Sequence, residues 1–137
     1  MSAIKVYLKV NWKNYKIKMV SIIIPYKNAE LFINESIDSI INQSYKNWEL
    51  ILVNDNSDDN SSLIAQKYSN NDIRIKHFES DGNGIIDALR KGYKNSKGNF
   101  ITRMDADDIM NENKIKLLRS SLKKSGKKYV SVGLVNY

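Results

Sequence analysis

Three groups of residues in this chain have the side chains and the spacing to do chemistry. The first is Asp105-Ala106-Asp107-Asp108, which follows directly on the β-like stretch Phe100-Ile101-Thr102-Arg103-Met104. Carboxylate oxygens are hard ligands, so an Asp-x-Asp pair suits Mg²⁺ or Mn²⁺ better than a softer ion. Such ions keep part of their coordination shell for substrate phosphates, which makes Asp105 and Asp107 a candidate seat for a metal–diphosphate. Taken alone, the spacing fits a solvated turn better than a metal seat, because Asp is a preferred turn residue. The second group is Asn54-Asp55-Asn56-Ser57-Asp58-Asp59, again at the end of an apolar run. The third is Pro25-Tyr26-Lys27-Asn28, after the apolar run Val20-Ser21-Ile22-Ile23-Ile24.

Each group needs an element to position it, and the apolar pattern supplies one. Residues 20–24 form a continuous apolar run stopped by Pro25, which suits a fully buried strand. Residues 29–43 follow with Ile33, Ile37, Ile40 and Ile41 at helical spacing, and Asn28 as the expected N-cap. Residues 48–53 read as the second strand. Residues 61–69 read as a short helix with Ile64 and Tyr68 on one face, and 73–78 as a third strand. Gly82-Asn83-Gly84 marks a turn before a helix over 85–95, expected to present Ile85, Leu89 and Gly92 or Tyr93. Residues 100–104 are the fourth strand. A last helix carries Ile115, Leu118 and Leu122, and 129–135 form a fifth strand. This alternation argues an α/β fold with a mostly parallel sheet and flanking helices. In such sheets ligands bind at the carboxyl ends of the strands, where all three groups fall.

Composition narrows the alternatives. A chain of 137 residues fits one domain with a real core. It has no cysteine, which excludes disulfides, thiol nucleophiles and Cys-ligated zinc. No apolar run approaches the roughly 20 residues that cross a bilayer. The net charge is +7, but residues 1–18 hold five lysines and no acid. The remaining 17 basic and 15 acidic side chains nearly balance, which argues against nucleic-acid binding. Residues 1–18, where Ile4, Val6, Leu8, Val10 and Trp12 alternate with polar residues, read as an appendage to a domain over 19–137: an added edge strand or a poorly ordered arm. A basic cluster from Lys114 to Lys128 fits a solvated helix face; its sharper reading is a peripheral contact with anionic lipid or a lipid-diphosphate. His77, the sole histidine, has no serine or second histidine to complete a catalytic or metal set, so a structural role is expected. Trp12 and Trp48 are read as packing residues.

Four blocks of the sequence resemble family 2 glycosyltransferases. They are Ser21-Ile22-Ile23-Ile24-Pro25-Tyr26-Lys27-Asn28; the stretch from Ser39-Ile40-Ile41-Asn42-Gln43 to Val53-Asn54-Asp55-Asn56-Ser57; Gly84-Ile85-Ile86-Asp87-Ala88-Leu89-Arg90-Lys91-Gly92; and Arg103-Met104-Asp105-Ala106-Asp107-Asp108-Ile109. They occur in the family's order and spacing. The resemblance implies the GT-A nucleotide-diphospho-sugar transferase fold. It also implies metal-dependent, inverting transfer of a sugar from a nucleotide diphosphate donor, usually UDP-linked, to a saccharide or lipid-linked acceptor. On that resemblance Pro25 and Tyr26 line the base pocket, with Asn28 beside the donor. Asp55 accepts the uracil N3–H, a sensible match because a carboxylate is acceptor-only. Asp105 lies by the ribose or the metal, Asp107 ligates Mn²⁺ or Mg²⁺, and Gly84 opens a helix whose N–H groups face the donor's anionic part. The family resemblance further implies a cytoplasmic protein, at the inner face of the membrane where its acceptor is lipid-linked.

The chain departs from the family's pattern at three places. Asn54 replaces the first acid of a common Asp-Asp pair, Arg90 stands where Asn is usual, and Glu112 where Pro is usual. Arg90 is either a diphosphate contact or a solvated side chain. The catalytic carboxylate expected as general base matches no residue here and is expected beyond Tyr137. The fold is thus expected to be incomplete at the C-terminus, with this chain the donor-binding half. A degenerate, non-catalytic nucleotide-binding or interaction module is the alternative.

Overall fold

The computed structural model describes residues 4–8, 19–125 and 132–133. Strand and helix alternate as β1 (Ile4–Leu8), β2 (Val20–Tyr26), α1 (Ile33–Ile41), β3 (Trp48–Asn54), α2 (Ser61–Asn71), β4 (Ile75–Glu79), α3 (Ile85–Asn95), β5 (Phe100–Arg103), α4 (Lys114–Ser125) and β6 (Val132–Gly133). The sheet order is β4-β3-β2-β5-β1-β6. The four strands β4, β3, β2 and β5 run parallel. β1 pairs antiparallel with both β5 and β6. The chain leaves β2 toward β3 and β4 on one side, then returns through α3 to place β5 on the other. β2 is therefore the point where the strand order reverses, and in sheets of this kind the ligand crevice lies at the carboxyl ends of the strands there.

β2 and β3 are buried along their whole length, which explains their continuous apolar sequence. Alternation divides their side chains between two cores. Val20, Ile22, Ile24, Trp48, Leu50 and Leu52 pack with Ile33, Ile37 and Ile40 of α1 and Ala65 of α2. Ile23, Ile51, Val53 and Ile101 pack with Ala88 of α3.

Several expected details shift for physical reasons. β2 does not stop at Pro25 but runs to Tyr26. The Ile23 carbonyl accepts from Met104 N–H, and that of Tyr26 from Asp55 N–H. By alternation Pro25 faces the β5 side, where β5 has already ended, so its missing N–H costs no ladder bond. Asn28 is not a helix cap. Its φ is 51°, and α1 begins only at Ile33 with no side-chain cap. α3 presents the expected Gly92 and Leu89 together with Ala88 to the sheet, while Ile85 and Tyr93 are 44% and 47% exposed. Here size rather than hydropathy decides. A Cβ on Gly92 would collide with Ile23, so the helix lies against β2 at a distance only its small residues allow. β4 begins at Ile75, and Ile73 is left in solvent. On α2 the buried residues are Ser61 and Ala65; Ile64 and Tyr68 pack at the core's margin. Of the expected fifth strand only Val132–Gly133 is described, and Trp12 lies outside the described residues.

Candidate functional site

The loops after β2 and β3 are stitched together beside the crevice. Ser57 Oγ accepts from Asn28 N–H (3.0 Å) and Asn28 Oδ1 accepts from Asp58 N–H (2.8 Å). Ser61 Oγ accepts from Ala29 N–H, Asp59 from Glu30 N–H, and Glu30 from Asn60 N–H. Asn28 takes the left-handed conformation that Asn tolerates better than most residues, and this aims its side chain at the neighbouring loop. Asn28 thus shapes the rim of the crevice from its exposed position.

Asn54 ends β3 and is 5% exposed. Its Nδ2 donates to Glu79 Oε2 (2.8 Å), and its Oδ1 accepts from Ser57 N–H (3.0 Å). An aspartate here would set two carboxylates against each other across β3 and β4. The Asn for acid exchange is therefore matched by Glu79. Asp55 is 7% exposed. Its Oδ1 accepts from Gly84 N–H at 2.8 Å, which ties the end of β3 to the start of α3. Gly84 has φ 98° and ψ 166°, a region essentially closed to side chains. Only glycine holds that N–H on Asp55 without strain.

Tyr26 is 3% exposed. Its hydroxyl and His77 Nε2 are hydrogen-bonded at 2.7 Å, and the rings stack at 6.2 Å between centroids. Burial is the main cause holding the Tyr26 phenol far above its ordinary range. Burial also lowers His77, against an opposing pull from Glu79, so the imidazole is neutral at pH 7. The ring of Tyr26 is thus fixed in the core against His77, while its carbonyl holds Asp55 N–H. His77 is partnered within the fold, as its sequence context implied, and Trp48 is a packing residue at 2% exposure under the Arg74 guanidinium.

On the other flank, Asp105 Oδ1 accepts from Arg103 Nε (3.1 Å) and Nη2 (2.8 Å). Asp105 and Arg103 are each about one-third exposed (36% and 37%). Both bonds fall on one oxygen, so Oδ2 has no hydrogen-bond partner among the described residues. Asp107 is exposed and makes no hydrogen bond or ion pair with them. The backbone of this loop is held from below by α1. The buried Ser36 hydroxyl lies 2.6 Å from the Ala106 carbonyl and 2.7 Å from that of Asp108. Gln43 Nε2 donates to the Asn111 carbonyl (2.6 Å), and its Oε1 accepts from Ile115 N–H (3.2 Å). Ser39 Oγ accepts from Met110 N–H. Arg90 is exposed on α3, with Asp87 of its own helix 3.3 Å away.

The structure therefore brings Pro25, Tyr26, Asn28, Asp55, Gly84, Asp105 and Asp107 to one edge of the sheet and leaves Arg90 on an outer helix face. Sequence reasoning missed Arg103, Glu79, Ser36 and Gln43. Ser36 had a signal, a polar residue on the buried face of α1, whereas Gln43 lies just past the end of that helix. Among the described residues no three His, Cys, Asp or Glu side chains converge. A metal here would thus rest on one or two carboxylates, with phosphate oxygens and water completing its shell, as suits Mg²⁺ or Mn²⁺. Asp107 and the free oxygen of Asp105 fit that donor set.

Comparison with known proteins agrees with this geometry. The sequence matches the profile of glycosyl transferase family 2 over residues 21–137. It is 34% identical over 122 residues to glycosyltransferase GlyG of Streptococcus pneumoniae, covering 88% of this chain and 40% of that protein. It is 42% identical over 98 residues to the minor teichoic acid biosynthesis protein GgaB of Bacillus subtilis, covering 67% and 11%. The fold overlays on residues 1–349 of TarS from S. aureus, in a crystal structure with UDP-GlcNAc. The TM-score is 0.71 at 26% identity, covering 77% of this chain and 31% of that one. This chain spans well under half the length of the curated relatives it matches here. With the parallel sheet, the crevice at β2 and the sequence match in agreement, the chain belongs to glycosyltransferase family 2 and has its GT-A fold.

Proposed function

We propose that this chain binds a nucleotide-diphospho-sugar, with UDP as its nucleotide, and forms the donor-binding part of an inverting, metal-dependent sugar transferase. One observation carries the proposal: Asp55 and the Asp105–Asp107 pair stand at the carboxyl ends of the strands on either side of β2, where the sheet order reverses. Asp55 is fixed through one oxygen by Gly84 N–H, leaving the other to accept the uracil N3–H. Pro25 and Tyr26 supply the floor, and the first turn of α3 faces the diphosphate with its free N–H groups. Asp107, with Asp105, holds Mg²⁺ or Mn²⁺, which when bound neutralises charge developing on the leaving diphosphate. Arg103 fixes the Asp105 carboxylate, and Ser36 and Gln43 hold the loop that carries both acids. No general base is assigned among these residues. The similarity to TarS, crystallised with UDP-GlcNAc, supports a UDP-linked donor. The similarity to GgaB supports a cell-surface polymer or its lipid-linked precursor as acceptor.

The test is calorimetric titration of UDP with Mn²⁺ present and then with chelator, on the native chain, Asp107→Ala and Asp55→Ala. Binding should need the metal and weaken about tenfold or more, some 1.4 kcal/mol, in Asp107→Ala. Asp55→Ala should weaken UDP far more than bare diphosphate. Unchanged curves for Asp107→Ala would remove it from the metal site. No binding under any condition would leave a degenerate module.

A further inference from the structure

The turn that fixes Asp55 contains a dipeptide whose chemistry the donor site does not use. Asn83-Gly84 is the single Asn-Gly pair in the sequence. At such a pair the glycine nitrogen can attack the asparagine side chain, because glycine has no Cβ to obstruct the approach. We propose that Asn83-Gly84 is a self-modification site and that Asp55 is its gate.

Both reacting groups are held by residues that follow β3. The nucleophile is the Gly84 nitrogen, and its N–H donates to Asp55 Oδ1 at 2.8 Å. The electrophile is Asn83 Cγ, whose Oδ1 accepts from Asn56 Nδ2 at 2.9 Å. Asn83 is exposed, so water reaches it. Its Nδ2, the nitrogen that must leave, has no hydrogen-bond partner among the described residues. The electrophile is thus polarised by a donor, as donors stabilise a developing oxyanion, while the nucleophile is restrained. The restraint is electrostatic as well as geometric. The Gly84 nitrogen must give up its proton to attack, and an anionic nitrogen would then face the Asp55 carboxylate. The same bond pins Gly84 at φ 98° and ψ 166°. Both restraints end when Gly84 N–H leaves Asp55.

The reaction needs no reagent besides water. Gly84 N bonds to Asn83 Cγ, the Cγ–Nδ2 bond breaks, and the displaced proton leaves with that nitrogen as ammonia. Water then adds to one carbonyl of the resulting cyclic imide and breaks one of its two C–N bonds, which restores N–H on Gly84. Opening on one side gives aspartate. Opening on the other gives isoaspartate, with the main chain lengthened by one methylene before Gly84. The product carries a new carboxylate in the loop that faces Asp55, and the longer chain displaces Gly84 N–H. The bond that ties the end of β3 to the start of α3 is then not remade, so the modification is one-way. The inference does not depend on the donor proposal, since its readouts are mass and amide exchange rather than nucleotide binding.

The experiment follows Asn83 by mass-spectrometric peptide mapping at mildly alkaline pH. It compares the native chain, the native chain unfolded in urea, and full-length Asp55→Ala. Asn95, which precedes Ser96 at the far end of α3, is the internal reference. Loss of one charge-assisted hydrogen bond should speed Asn83 about tenfold in Asp55→Ala, with Asn95 unchanged. The unfolded native chain should react at Asn83 at least as fast as that variant. A native chain that reacts as fast folded as unfolded would overturn the gate. So would Asp55→Ala reacting at the native rate, or equal acceleration at Asn83 and Asn95, which would place the control in global unfolding. Asp55→Asn keeps the shape and an acceptor oxygen without the charge, and should fall between native and Asp55→Ala. The isolated isoaspartate form should lose hydrogen-exchange protection at Gly84 N–H and keep it at Leu52 in β3. Retained protection at Gly84 would overturn the claim that the modification opens this bond.

Discussion

The two ends of the parallel sheet treat their carboxylates in opposite ways. At the amino end, Glu49 is 3% exposed in β3. Its Oε1 accepts from Ser21 Oγ, Lys97 N–H and Gly98 N–H, and its Oε2 from Lys76 Nζ (2.8 Å). Burial pushes this carboxyl up, but Lys76, Ser21 and the Lys97 N–H together outweigh it and hold Glu49 below the usual carboxylate range. At the carboxyl end, among the described residues, Asp55 and Asp105 each use one oxygen and Asp107 uses none. A fully answered buried charge locks strands together. A half-answered one at a crevice is an acceptor waiting for a ligand. On the proposed function, the same residue chemistry serves structure at one end of β3 and recognition at the other.

The sharpest way to break this comparison is Glu49→Ala. It removes the acceptor for two backbone N–H groups, a hydroxyl and an ammonium. Lys76 is one-third exposed and can rehydrate, so the expected loss is about 3 kcal/mol, at the lower end for breaking a buried pair. Urea denaturation would read it, and a loss under about 1 kcal/mol would contradict the lock. The sign with pH is fixed. A carboxyl held below its unfolded value stabilises above about pH 4.3 and loses that contribution as pH falls through the folded value. Glu49→Gln should therefore flatten the acid limb of the stability curve. Next in size is Ser36→Ala, expected to cost about 1–2 kcal/mol because the Ala106 and Asp108 carbonyls lose a buried donor. Ser36→Thr should retain part of this. If the hydroxyl positions the acidic loop, Ser36→Ala should also weaken Mn²⁺-dependent UDP binding more than metal-free binding.

Much of this was legible in the sequence, for identifiable reasons. β2 and β3 are buried on both faces, so their apolar runs are uninterrupted and their ends abrupt. The rule that ligands sit at strand carboxyl ends then places Asp55, Asp105 and Asp107 together from sequence alone. What escaped depends on contacts distant along the chain. Asn28 looked like a cap because caps are local; its partners are Ser57 and Asp58, which the β2–α1 and β3–α2 loops bring beside it. On α3 the expected Leu89 and Gly92 do face the core, but hydropathy also favours Ile85 and offers Tyr93 beside Gly92, whereas the close approach to Ile23 selects for size. Glu49 and Ser36 were readable as anomalies, polar residues in apolar settings, but not as parts of a hub or a hook. Arg103 gave no signal, since an arginine at a strand end is ordinarily solvated.

A smaller effect separates the two ends by pH. His77, lowered by burial, is neutral in the fold and charges more readily when unfolded. Its contribution is whole above about pH 6.5 and declines as pH falls below that value. Stability measured in urea should drop from pH 7 to pH 5, and His77→Gln should lessen the drop. An unchanged slope would show that the Tyr26–His77 brace does not report on proton binding.

The smallest expected effect is the most discriminating. Asp107→Ala should leave folding stability within about 0.5 kcal/mol of native, because its carboxylate is exposed and bonded to no described residue. The fold gains nothing measurable from that charge, and its removal relieves repulsion with the neighbouring Asp105 and Asp108. Placed beside Glu49→Ala, the variant gives a double dissociation. The expected outcome is that Glu49 carries stability and no metal-dependent binding, and Asp107 binding and no stability. Were Asp107→Ala to destabilise the chain by as much as Ser36→Ala, the acidic loop would be a structural element in its own right. The contrast between an amino end built to be satisfied and a carboxyl end left open would then fail at its central residue.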